Sequence, residues 1–276
     1  TTLSQGSTSS IRRSVSSLVV AIGLSIPMLT LAQGAPVCDG RIFLSQGSDS
    51  TLNAVSTDAN PMTFTTIGSS AGITFNALGY SPSDGQLYAM RTDGSGNHLM
   101  TLDQTTGVVT DQGVVTGLPV SPVYNTGAVG SNGVYYVKPL GSTQMIYAIN
   151  TTTKTATAIN LSQAFMASDM AWVGGATGGL YSVADSGQLF SINVTNGSVG
   201  ALGSPDTTGG VLGAQFGGTN GLFGSANDGS GFYQVDLTTG KKTKISDSPG
   251  SGNNDGANCP NAAIKFPADV GITKTN

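Results

Sequence analysis

Alternating apolar and polar positions run through most of this chain, broken by turns rich in Gly, Asn and Asp. One dipeptide sets their period. An apolar-aromatic pair recurs at Ile42-Phe43, Leu87-Tyr88, Val134-Tyr135, Leu180-Tyr181 and Leu222-Phe223. Successive separations are 45, 47, 46 and 42 residues, the length a four-stranded propeller blade needs. A second repeat follows each of four copies. An alternating strand ends at Leu102-Asp103, Ile149-Asn150, Ile192-Asn193 and Val235-Asp236. The polar turns 103–107, 193–197 and 236–240 each open on Asp or Asn and end on Gly. The side chain caps the turn and the Gly takes the left-handed position. The copy at 150–154 ends on Lys154 and is the weakest.

Each repeat therefore reads as four antiparallel strands, a to d. Strand a is rich in small residues at 75–80, 124–129, 168–172 and 211–216, as convergence on a common axis requires. Strand b carries the apolar-aromatic pair. Strand d falls at 108–115, 156–161, 198–202 and 242–245. The remaining repeat is split. Residues 42–46, 52–56 and 62–67 supply strands b, c and d with no strand a before them, and 255–259 supplies the missing strand at the other end. The prediction is an all-β, five-bladed β-propeller of four-stranded antiparallel blades, its ring closed by N- and C-terminal strands in one blade. Such closure removes exposed sheet edges.

Composition agrees. There are 40 glycines and 9% charged residues, and all fifteen acidic residues are Asp, which disfavours helices. A net charge of −4 argues against a nucleic-acid partner. The cluster Lys241-Lys242 with Lys244 reads as a solvated hairpin. Residues 1–32 read as a secretory signal peptide. Arg12 and Arg13 form its basic start, 18–31 its apolar run, and Thr30-Leu31-Ala32 leads to a cleavage point. The apolar run is too short, and interrupted by Pro27, for a membrane span. No later segment inserts in a membrane. Cys38 and Cys259 are the only cysteines. They flank the two halves of the split blade, and export exposes them to an oxidising compartment, so a Cys38–Cys259 disulfide is expected.

The propeller is expected over 38–259, followed by a linker at 260–267. The segment 268–276, Ala268-Asp269-Val270-Gly271-Ile272-Thr273-Lys274-Thr275-Asn276, resembles the opening strand of the conserved-repeat, immunoglobulin-like stalk domain of large bacterial surface proteins. Directly before it lies the blade-closing segment Asn254-Asp255-Gly256-Ala257-Asn258-Cys259. Together they resemble the uncharacterised propeller-like domain that precedes such stalk repeats. The resemblance implies a secreted, surface-exposed bacterial module with no catalytic residues to carry over; a monomer within a longer surface protein is expected. The absence of an initiator Met fits a fragment of a longer chain.

The chemistry-bearing residues are sparse. His98 is the only histidine, and no Gly-x-Ser-x-Gly elbow accompanies it. The loops 93–97 and 227–231 have oxygen ligands at alternate positions but lack the distal acid of a calcium loop. They read as hairpins, and no metal or cofactor is expected. Asn150, Asn160, Asn193 and Asn196 lie in Asn-x-Ser/Thr sequons that read as turn composition. Trp172 and Tyr80 are expected to pack between blades. The function expected is non-catalytic: surface recognition, adhesion or spacing, with a glycan or a cell-surface protein as partner. A ligand would sit at the channel mouth, on the face made by b–c and d–a loops. The inner-strand candidates are Asn76, Asn125, Asp169, Gln215 and Asp255. The rival is a carbohydrate-active hydrolase using paired Asp residues such as Asp169 and Asp255.

Overall fold

The computed structural model describes residues 1–3, 6, 38–94, 96–175 and 178–266. The leader segment, apart from those few residues, and the stalk-like segment 268–276 lie outside the described residues. From residue 38 onward the described elements are twenty β-strands. Strands β1 (Ile42–Gln46), β2 (Thr51–Ser56) and β3 (Thr63–Ile67) come first. Blade I follows with β4 (Phe75–Tyr80), β5 (Leu87–Arg91), β6 (His98–Leu102) and β7 (Val109–Val114). Blade II has β8 (Tyr124–Val129), β9 (Tyr135–Pro139), β10 (Thr143–Asn150) and β11 (Thr155–Phe165). Blade III has β12 (Ala171–Val173), β13 (Gly179–Val183), β14 (Leu189–Ile192) and β15 (Val199–Leu202). Blade IV has β16 (Leu212–Gly218), β17 (Gly221–Ala226), β18 (Phe232–Val235) and β19 (Lys242–Ser246). The last strand, β20 (Asp255–Asn258), pairs with β1, giving blade V the order β20-β1-β2-β3. The five four-stranded antiparallel sheets make a five-bladed β-propeller.

Ring closure rests on two features. Ile42 pairs with Asn258 and Ser45 with Asp255 across the antiparallel ladder. Just outside it, a Cys38–Cys259 disulfide holds Cα atoms 5.4 Å apart over a separation of 221 residues.

There is no single core. Five apolar clusters lie between neighbouring blades, one per interface. Each blade is thus buried on both faces, which is why an adjacent pair of large apolar residues repeats: successive strand residues point to opposite faces. Leu87 packs towards blade V and Tyr88 towards blade II. Leu222 packs towards blade III and Phe223 towards blade V.

Blade II corrects the sequence reading by one residue. Leu87, Leu180, Leu222 and Ile42 pair across the ladder with Leu102, Ile192, Val235 and Val55. The residue opposite Ile149 is Tyr135, not Val134. The equivalent pair is therefore Tyr135-Tyr136, with Tyr135 facing blade I and Tyr136 facing blade III. A one-residue slip exchanges every side chain between faces, and two consecutive tyrosines after a valine concealed it.

The inner strands approach the axis closely. A Cβ on Gly127 would collide with the Ala77 carbonyl of the next blade, and one on Gly256 would lie 2.6 Å from the Gln215 carbonyl oxygen. The capped turns form as expected. Asp103 Oδ1 accepts the N–H groups of Thr105 and Thr106 at 2.9 and 2.7 Å, and Gly107 has φ +70°. The weak copy forms too, with Lys154 itself in the left-handed region at φ 51°.

Three details differ from the sequence reading. Strand a of blade III begins at Ala171, not 168, because side chains take the ladder's donors: Ser168 N–H goes to Asp185 and Met170 N–H to Asp169 Oδ1. Lys242 is not solvated. It is buried, with Nζ donating to the Gly210 carbonyl at 3.0 Å. The segment 260–266 packs on the propeller: Ile264 is buried, and the Phe266 ring lies 5.3 Å from that of Phe223.

Candidate functional site at the channel mouth

One face of the ring is built from b–c and d–a loops. At its centre lies a recess of about 310 Å³. Five asparagines line it: Asn76, Asn125, Asn227, Asn253 and Asn254. Three hydroxyl residues, Thr74, Thr92 and Ser168, and two apolar ones, Val123 and Leu140, complete the wall. No charged side chain lines it.

Local structure fixes these groups. Asn76 Oδ1 accepts the Ala77 N–H at 2.8 Å, beside a break in register between Asn76 and Gly79. Ser168 is held by Asp185, which accepts both its N–H and its hydroxyl at 2.9 Å. Asn254 Nδ2 donates to Ser251 Oγ at 2.7 Å. A Cβ on Gly213 would strike the amide oxygens of Asn227 and Asn254, so the bare backbone there makes room for both. The loop bearing Leu140 is pinned by Lys138, a fully buried side chain. Its Nζ donates to the carbonyls of Pro139 and Gly141 at 3.1 and 2.6 Å and lies 5.2 Å from the Phe165 ring centroid. Burial pushes the Lys138 pKa down to about 8.

Two acceptors at the recess lack partners: Asn125 Oδ1 and Asn227 Oδ1 are buried with no hydrogen-bond donor. Buried polar atoms are nearly always paired, so such atoms call for an explanation.

Of the five inner-strand candidates, the structure brings only Asn76 and Asn125 to the recess. Asp169, Gln215 and Asp255 are buried near the axis, at 0%, 1% and 0% exposure. Asp169 Oδ2 accepts the N–H groups of Gln215 and Gly256, in blades IV and V. Gln215 Nε2 donates to the carbonyls of Asp169 and Val183 at 2.9 and 3.0 Å. Asp255 Oδ1 accepts the Gly256 N–H at 2.8 Å, while its Oδ2 meets no N–H or O–H donor. Burial raises both carboxyl pKa values, and Asp255 rises further because the Asp169 charge stands beside it. With a proton on Asp255, that free oxygen becomes a donor to Asp169 and the pair is satisfied.

Asn227, Asn253 and Asn254 were missed in the sequence reading. Asn253-Asn254 immediately precedes the closing strand, in the position that Ser168 holds before blade III, and that equivalence was the available signal. A separate small pocket near Gly79, Ala128, Gly217 and Gly256, further along the inner strands, has about 10 Å³ of free space, enough for roughly one water.

The other chemistry-bearing residues are engaged by neighbours within the fold. His98 Nδ1 lies 2.9 Å from Asp111 Oδ2. Asp93 is engaged by Arg91 Nε at 2.6 Å and by the Thr74 N–H. The Trp172 ring stacks on Tyr136 at 5.7 Å, between blades, and Tyr80 is in the core.

The fold and the recess define a disulfide-closed, five-bladed β-propeller with a blind polar mouth. The chain belongs to the family described as "Repeat of unknown function (DUF6923)", which matches residues 43–261. No curated protein matches. Among solved structures, a structural genomics protein of unknown function from Bacteroides thetaiotaomicron is 12% identical, with a TM-score of 0.53 over 75% of this chain and 55% of that one. Virginiamycin B lyase from Staphylococcus aureus is 15% identical, with a TM-score of 0.44 over 75% and 70%. An auxiliary nutrient binding protein from Bacteroides thetaiotaomicron is 10% identical, with a TM-score of 0.47 over 75% and 54%. This chain spans little more than half the length of the two Bacteroides proteins. At these identities the likeness is one of fold.

Proposed function

We propose that this propeller is a non-catalytic recognition module of an exported surface protein, receiving a small ligand in the recess at its channel mouth. The observation that carries the reading is the pair of buried, donorless amide oxygens on Asn125 and Asn227. Their desolvation costs roughly 1–3 kcal/mol each unless a partner supplies hydrogen bonds. The same face bears four large apolar side chains that are more than half exposed, Val114, Val120, Leu140 and Met166. Of these, Leu140 lines the recess and offers a ligand apolar surface. The disulfide supports an oxidising, extracellular setting.

The hydrolase reading has less support. It needs two carboxyls flanking a substrate in an open cleft. Asp169 and Asp255 are instead closed off from solvent and occupied by backbone N–H groups.

A fragment screen by NMR tests the reading. The expected result is a set of ligands that perturb the side-chain amides of Asn76 and Asn125 and lose binding on Asn125→Ala. Ligands that all map elsewhere on the surface would refute it.

A further inference from the structure

We infer that the recess takes the terminal ring of an uncharged saccharide. The inference rests on the recess being a ligand site and names the chemistry that fits it.

The wall is uncharged throughout, so an ionic ligand would surrender its water without meeting a counter-charge. It is also dense in asparagine. Each amide presents a donor and an acceptor side by side, as do neighbouring hydroxyls on a sugar ring. Asn125 Oδ1 and Asn227 Oδ1 have no donor and almost no exposed surface, so turning either amide towards the recess would give its oxygen a sugar hydroxyl as donor. Val123 and Leu140 add apolar surface for the C–H face of such a ring.

Shape narrows the class further. A volume of about 310 Å³ is at the small end of ligand cavities and accommodates one ring. Further along the inner strands Asp169, Gln215 and Asp255 are buried and hydrogen-bonded between blades, so a polymer cannot thread through. Only a chain end can enter, which makes this a site for termini and not for the interior of a glycan.

The test is a titration of the whole chain, followed through the asparagine side-chain amides. Neutral monosaccharides and linear oligosaccharides are compared with their uronic-acid analogues, a cyclised oligosaccharide and a panel of charged and aromatic fragments. At least one neutral sugar is expected to perturb Asn125 and Asn227. Its acidic analogue is expected to bind more weakly, by on the order of ten-fold or more, because its charge loses water without meeting a counter-charge. The cyclised form is expected not to bind, and Asn125→Ala and Asn227→Ala to weaken binding while thermal unfolding stays within a few degrees of the parent. If only charged or aromatic fragments perturb these amides, the saccharide inference falls and the recess remains a ligand site. Sugars that bind equally well to Asn125→Ala also overturn it. Should no compound perturb the recess amides at tens of millimolar, both readings fall.

Discussion

Asp169 Oδ2 accepts the backbone N–H of Gly256 at 3.1 Å, joining blade III to blade V across 87 residues of chain. The same oxygen takes the Gln215 N–H of blade IV. Three blades thus meet on Asp169, whose Oδ1 also takes the Met170 N–H and whose carboxyl group stands beside that of Asp255. This junction gives a pH dependence. Burial raises both pKa values above the ordinary aspartate value of 3.8. The folded state then holds more protons than the unfolded one above that pH. Its contribution is complete below about 3.8 and is lost as pH rises through the raised values. Denaturant unfolding from pH 4 to 9 is expected to show declining stability. Asp255→Asn keeps a donor towards Asp169 without a titrating proton and is expected to flatten the decline. Asp169→Ala leaves the Gln215 and Gly256 N–H groups orphaned and is expected to cost roughly 1–3 kcal/mol for each. A decline unchanged in Asp255→Asn would disprove the shared proton.

At acid pH the sign reverses for the turn carboxylates. Asp103 and Asp236 are held below the ordinary range by backbone N–H groups of their own turns, and Asp206 by those of Lys242 and Thr208. Their contribution is present above about 3.8 and disappears as pH falls. The stability maximum is expected in mildly acidic solution. Calorimetry across pH 2–9 checks it, and a maximum above pH 8 would contradict both assignments.

The Cys38–Cys259 bridge constrains nearly the whole propeller. Replacing both cysteines with serine is expected to lower unfolding stability by about 2–5 kcal/mol while leaving the strand signature in circular dichroism intact. Reductant is expected to reproduce the loss in the parent and have no effect on the double variant.

Axial packing predicts a contrast between glycines. Gly127→Ala forces a Cβ onto the Ala77 carbonyl and is expected to cost roughly 1–3 kcal/mol. Gly252 has no atom within 4 Å of the would-be Cβ, and Gly252→Ala is expected to lie within about 0.5 kcal/mol of the parent. Equal effects in urea unfolding would argue against close approach at the axis.

The register of blade II is tested at Val134 and Tyr135. Tyr135 is fully buried and its hydroxyl donates to the Ala77 carbonyl, whereas Val134 is partly exposed before the strand. Tyr135→Ala is expected to cost about 3–5 kcal/mol and Val134→Ala less than about 1.5 kcal/mol. The reverse order would restore Val134-Tyr135 as the repeat pair.

What the sequence determined by itself was the repeat, its fivefold count and the circular closure. A blade buried on both faces must write adjacent large apolar residues at a fixed period. A capped turn must place Asp or Asn four residues before its left-handed position. A lone inner strand beside Cys259 has no sheet to join but the one that begins after Cys38. These signals are local, or rest on simple counting. Tertiary structure decided which polar groups reach the mouth. Asn76 and Asp255 both stand near the start of an inner strand, and both accept the N–H of the following residue. One lines an open recess while the other is sealed at the axis. That difference comes from how far neighbouring blades crowd each position, and from register breaks such as those after Asn76 and Tyr124. Separations between blades appear only when the ring is assembled, so the recess built by Asn125, Asn227 and Asn254 was out of reach of periodicity alone.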